Sequence, residues 1–168
     1  MEMQLYSLHV VPFVIIVYLA FLLFVHPPGE VILASLVGGL TMGIINALFD
    51  LMAYYASIWH YTASGLVLQL PLPLYVTPVL ILGGLVFLLI WRTWHTRGHW
   101  FAMLLLVGVP LFGFVRDYFA ATTHSSYVVW DSTFAWVVNL IMWLVMFYAG
   151  YFAFRRLAST GESETKTA

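Results

Sequence analysis

The chain contains no cysteine, which excludes disulfides, thiolate chemistry and iron–sulfur or haem–thiolate ligation. Charge is scarce as well: Asp, Glu, Lys and Arg together make up 8% of 168 residues, the net charge is −1, and there is no basic run. Nucleic acid is therefore not expected as a partner. No Lys or Arg precedes Arg92, so the basic n-region of a signal peptide is missing and the first apolar segment is expected to be retained. Segments of about ten alternating residues, the mark of transmembrane strands, are absent too. No compact ligand spacing such as HExxH occurs, and neither a metal nor a cofactor is expected.

What remains is apolar. Hydrophobic residues account for 63% of the chain and the mean hydropathy is +0.97, far above the range of a soluble domain. Five segments, Leu5–His26, Val31–Tyr54, Tyr75–Trp91, Trp100–Phe119 and Val128–Phe154, are long enough to cross a hydrocarbon core of about 30 Å at about 1.5 Å per helical residue. The predicted class is an all-α membrane protein, a single five-helix transmembrane bundle over residues 1–156 in the cell membrane with the lipid bilayer as its first partner. Residues 157–168, rich in Ser, Thr and Glu, are expected to form a disordered cytoplasmic tail.

Basic residues in short loops mark the cytoplasmic side. Arg92 and Arg97 flank the loop after the third segment, and Arg155, Arg156 and Lys166 follow the fifth. Both clusters face inward only if the N-terminus is outside and the C-terminus cytoplasmic. Trp59, Tyr61, Tyr118, Tyr127 and Trp130 then fall at the outer interface and Trp91, Trp94 and Trp100 at the inner one, as aromatic belts predict. His95 and His99 fall in the cytoplasmic loop.

Four ionisable residues, Asp50, Arg116, Asp117 and Asp131, collect at the outer end. An intramembrane charge is costly and by default functional. Ser35, Gly39, Gly43 and Ala47 recur every fourth residue, a small-residue face suited to close helix contact or to docking a partner membrane protein. Asp50 lies about 20° from Gly43 on a helical wheel, flanked by Asn46 and Tyr54, and so points into the bundle. On the fourth segment Gly108, Pro110, Gly113 and Asp117 share one broad face, with Asp117 about 40° from Gly113. Arg116 is placed to reach Asp50 or to snorkel. Asp131 precedes Ser132-Thr133-Phe134 and reads as a helix N-cap. His60 and His124 lie in the outer loops. Segments two and three also parallel segments four and five, each pair running through an Asp (FDLMAYY, VRDYFAA) to an aromatic loop, which suggests a parallel repeat.

The stretch from Asn46 to Leu82 resembles the membrane-integral carotenoid cyclases, the lycopene cyclase domain family. The residues that carry the resemblance are Asp50, Trp59 nine positions on, Tyr61 two beyond it, and the Leu70-Pro71 to Leu72-Pro73 start of the next helix. Where that family places paired glutamates after the proline, this chain has Leu74-Tyr75. The resemblance implies a membrane protein acting on or binding a long apolar isoprenoid, carotenoid or other pigment. An acid would then fall to Asp50 or Asp117, with Tyr61 assisting as a catalytic group and Asn46, Tyr54, Trp59, His60 and Arg116 binding. An aromatic content of 18% suits such a pocket and the stabilisation of positive charge by ring faces. The alternative is a non-catalytic membrane subunit or assembly factor in which an Asp50–Arg116 pair is structural. A small transporter fits less well, because no polar residues continue the path through the inner half of the bundle.

Overall fold

A computed structural model of the protein describes residues 2–94, 98–123 and 127–165, the last six of these by backbone alone. His95, Arg97, His124 and Lys166, on which some loop and topology expectations rest, lie outside the described residues. Helix α1 (Glu2–Val25) is followed by α2 (Gly29–Tyr55) after a turn at His26, whose φ is 50°. A strand β1 (Trp59–Tyr61) precedes the third span, and α4 (His99–Thr122), strand β2 (Val128–Trp130) and α5 (Ala135–Thr165) complete the chain. Among the described residues, five helical stretches are long and apolar enough to cross a membrane.

The third span, Leu72–Trp94, is not one regular helix. It opens with a 3-10 turn (Leu72–Tyr75), continues as a π-helical stretch (Pro78–Leu85) and becomes regular only in α3 (Val86–Trp94). Pro73 and Pro78 lack the N–H groups that would close ordinary turns, and π geometry often marks functional sites. The widened stretch lies against the glycines of α2. A β-carbon on Gly39 would collide with the Val79 carbonyl, and one on Gly83 would stand 2.6 Å from the Gly39 Cα.

The Ser35, Gly39 and Gly43 face is thus consumed inside the chain. Gly43 lies under the Val79 side chain, and the Ser35 hydroxyl hydrogen-bonds the Tyr18 hydroxyl of α1 at 2.8 Å. The docking face expected for a partner helix is already occupied, which corrects that expectation. On the adjacent face, Gly38 and Gly150 bring α2 and α5 together, since a β-carbon on Gly150 would be 2.6 Å from the Gly38 carbonyl. Phe87 fills the centre of the core, 5.5 Å from Phe147 and 5.6 Å from a stacked Phe154 by ring centroids.

At one end of the bundle β1 and β2 pair antiparallel, with Trp59 opposite Trp130 and Tyr61 opposite Val128. Residues 128–130 were expected to begin the fifth helix. Val-Val-Trp instead favours the extended backbone, and the ladder satisfies peptide groups that would otherwise be left unpaired at an apolar end. Helix α5 starts later, at Ala135, and its backbone runs through 157–165, where a disordered tail was expected.

Candidate functional site at the ribbon end

Asp50 occupies the last turns of α2, 2% exposed. Its carboxylate accepts three hydrogen bonds: Oδ1 from Trp59 Nε1 at 3.0 Å, and Oδ2 from the Tyr61 hydroxyl at 3.0 Å and the Tyr75 hydroxyl at 2.7 Å. The three donors come from two local devices. Trp59 and Tyr61 sit two apart on β1, and the turn bonds from Ile58 N–H to the Ala53 carbonyl and from Asp131 N–H to the Ile58 carbonyl fold that strand back over α2. Tyr75 closes the 3-10 turn after Pro71 and Pro73. The inward placement of Asp50 follows the helical-wheel expectation, and its partners do not: they are three neutral donors and not Arg116.

Arg116 turns instead to its neighbour. Its Nε and Nη2 donate to Asp117 Oδ1 at 2.9 and 2.7 Å, and its guanidinium lies 5.4 Å over the Trp143 ring. The expected Asp50–Arg116 pair is therefore absent, because adjacent residues reach each other without crossing the bundle. Asp117 Oδ2 accepts from Trp143 Nε1 at 2.7 Å and from Asn139 Nδ2 at 3.4 Å. Gly113 makes room for the Trp143 ring, against which a β-carbon would collide. The two aspartates are thus held alike in one respect, each by an indole N–H, and differently in another, since only Asp117 has a cation.

Asp131 does not cap α5. It accepts from, or pairs with, His60 Nδ1 at 2.7 Å on the exposed side of the ribbon, and Ser132 Oγ takes the Phe134 N–H at 3.2 Å in its place. Asp131 lies too far ahead of Ala135 to reach the first turn, and the ribbon aims its side chain at β1. Trp59, expected at the interface, is 2% exposed and serves Asp50. Tyr54 faces outward, edge-on to Tyr55 at 5.5 Å, away from the carboxylate it was expected to flank.

A cleft of about 330 Å³ opens beside the two clusters, walled by Tyr6 and Asn46, by Tyr61 and Val128 of the ribbon, by Leu74, Tyr75, Thr77 and Pro78, and by Arg116, Asp117, Ala120 and Tyr127. Asp50 is not in its wall; Tyr61 and Tyr75 stand between. Burial, and then the charge of Asp50, pushes the Tyr61 phenol well above its ordinary range, so that hydroxyl keeps its proton and donates. The sequence brought forward Asp50, Asp117, Tyr61, Asn46 and Arg116, which do converge here. His60 stays at the rim. Tyr75, Trp143 and Asn139 were missed. Asn139 had a signal, being a lone amide in an apolar helix, and Trp143 follows it one turn later on the same face.

Among the described residues no three His, Asp or Glu side chains gather as a metal centre requires. No protein family, curated protein or solved structure was found to match this chain.

Proposed function

We propose that this is a multi-pass protein of the cell membrane that takes the end of a long apolar, isoprenoid-like molecule into the cleft at the ribbon end. The observation that carries the reading is the cleft itself. Its volume falls at the lower end of ligand pockets, which run from about 300 to 1,000 Å³, enough for the end of a chain whose remainder stays in lipid. Its walls are apolar and aromatic apart from a few polar groups, Tyr61, Tyr75, Tyr127, Asn46, the Tyr6–Thr77 hydroxyl pair and the Arg116–Asp117 pair. Tyr75 also stands at the position where the carotenoid cyclases, to which residues 46–82 bear a resemblance, have a glutamate. In this protein that site is joined to a buried carboxylate, Asp50, by a hydrogen bond of 2.7 Å. A cyclase-like or isomerase-like reaction would use that connected set, a tyrosine oxygen taking a proton from the substrate as it passes its own to the Asp50 carboxylate.

The orientation with the ribbon outside draws support from the arginines. Arg92 donates to the Val25 carbonyl at 3.1 Å, and Arg155 shares a cavity wall with Trp91 and Trp94, all at the end opposite the ribbon. The assembly-factor reading leaned on an Asp50–Arg116 pair and an open small-residue face, and both are otherwise engaged.

Extraction of the purified protein followed by mass spectrometry tests the reading. A polyprenoid or pigment near one per chain is expected in the native host, and bulk phospholipid alone would overturn it.

A further inference from the structure

The direction of the hydrogen bonds around Asp50 has a chemical consequence for the cleft. A carboxylate only accepts, so Tyr61 and Tyr75 both spend their single hydroxyl proton on Asp50 Oδ2. Both tyrosines line the cleft while Asp50 does not. What they have left to present there is the lone pairs of the two phenol oxygens. The neighbouring carboxylate on the same wall, Asp117, is likewise an acceptor, with its own bonds received from Arg116, Trp143 and Asn139. The part of the wall formed by Tyr61 and Tyr75 therefore presents acceptors, and the charge on Asp50 strengthens the two phenol oxygens by polarising their O–H bonds; the donors of the lining, Arg116, Asn46 and the Tyr6–Thr77 hydroxyl pair, come from other elements of the wall.

We infer that the cleft selects a ligand whose end carries a hydrogen-bond donor, an alcohol on an otherwise apolar chain, with Tyr61 and Tyr75 as its direct contacts and Asp50 as the positioning residue that turns their lone pairs toward it. The inference rests on the apolar-ligand reading above and adds the chemistry of the ligand's end. Asp50 also explains why two tyrosines are used where one acceptor would do. Both are held in one orientation by a single buried oxygen, so neither can swing its proton into the cleft without giving up a bond to a charged acceptor.

The test compares two probes that differ by one donor, geranylgeraniol and its methyl ether, by competition binding to the purified full chain in nanodiscs. The alcohol should bind about tenfold more tightly, the worth of roughly one hydrogen bond in a dry site. In the double variant Tyr61→Phe, Tyr75→Phe the alcohol-to-ether ratio should fall toward one. Equal binding of both probes to the native protein overturns the inference and leaves the apolar-ligand reading standing. A tenfold preference that persists when both hydroxyls are removed also overturns it, by placing the acceptor elsewhere. Binding of neither probe to the native protein overturns the apolar-ligand reading and this inference with it.

Discussion

The three aspartates near the ribbon show how much a single residue's meaning depends on what faces it. Asp50 receives three neutral donors in a fully enclosed position, Asp117 receives a guanidinium and an indole, and Asp131 meets a histidine at the surface. Substitution should rank them accordingly. Asp50→Asn replaces an acceptor by an amide whose NH₂ must face one of three donors, and a loss of about 1–3 kcal/mol is expected from the mispaired buried group. Asp131→Asn at the exposed pair should cost under about 1 kcal/mol. Thermal unfolding of both variants in the same detergent checks the order, and equal losses would show that the three-donor arrangement carries no special weight. Tyr75 illustrates the opposite limit, since an unremarkable tyrosine after two prolines becomes the shortest contact to the buried carboxylate.

At the scale of elements, the glycines divide into those that set contacts and those that do not. Gly38, Gly39, Gly83 and Gly150 lie where a β-carbon would meet backbone of a neighbouring helix, whereas one on Gly108 would meet only a leucine of its own helix at 4.0 Å. Gly39→Ala and Gly150→Ala are expected to destabilise the fold by about 1–3 kcal/mol through overpacking. Gly108→Ala should be neutral or mildly stabilising, because alanine is the better helix former. Unfolding midpoints for the three variants decide the matter, and a Gly39→Ala midpoint equal to that of Gly108→Ala would contradict the close approach of α2 to the π-helical stretch. That stretch also connects fold to site. It begins just after Tyr75, so the geometry that lets Val79 lie over Gly39 is continuous with the turn that aims Tyr75 at Asp50.

For the molecule as a whole, the two ends are chemically unlike. The ribbon end carries the aspartates and the cleft; the opposite end carries Arg92, Arg155 and Arg156. Between them Leu8, Leu23, Phe24 and Phe112 are all more than half exposed, large apolar side chains of the kind that lipid would cover. The absence of cysteine makes the orientation simple to read. In intact cells a membrane-impermeant maleimide should label Leu68→Cys, at the exposed turn before the third span, and should leave Ser159→Cys unlabelled until the membrane is opened. The reverse pattern would invert the topology.

Apolar run lengths were enough for the sequence alone to mark five helical spans of membrane length among the described residues, because about 20 apolar residues are what a helix needs to cross a bilayer core. Wheel geometry was enough to turn Asp50 inward, since both the small residues and the carboxylate repeat on one helical face. Partners were not legible. Arg116 could reach Asp50 or Asp117 by the same arithmetic, Asp131 has the chemistry of a cap wherever it stands, and Trp59 reads equally well as an anchor or a donor. Which alternative holds depends on contacts between residues distant in sequence: the ribbon that joins 59–61 to 128–130, and the π-helical stretch that brings Tyr75 over α2. Local propensity is a property of neighbours along the chain, whereas a hydrogen bond to a buried carboxylate is decided by which donors the packed helices bring within about 3 Å of it.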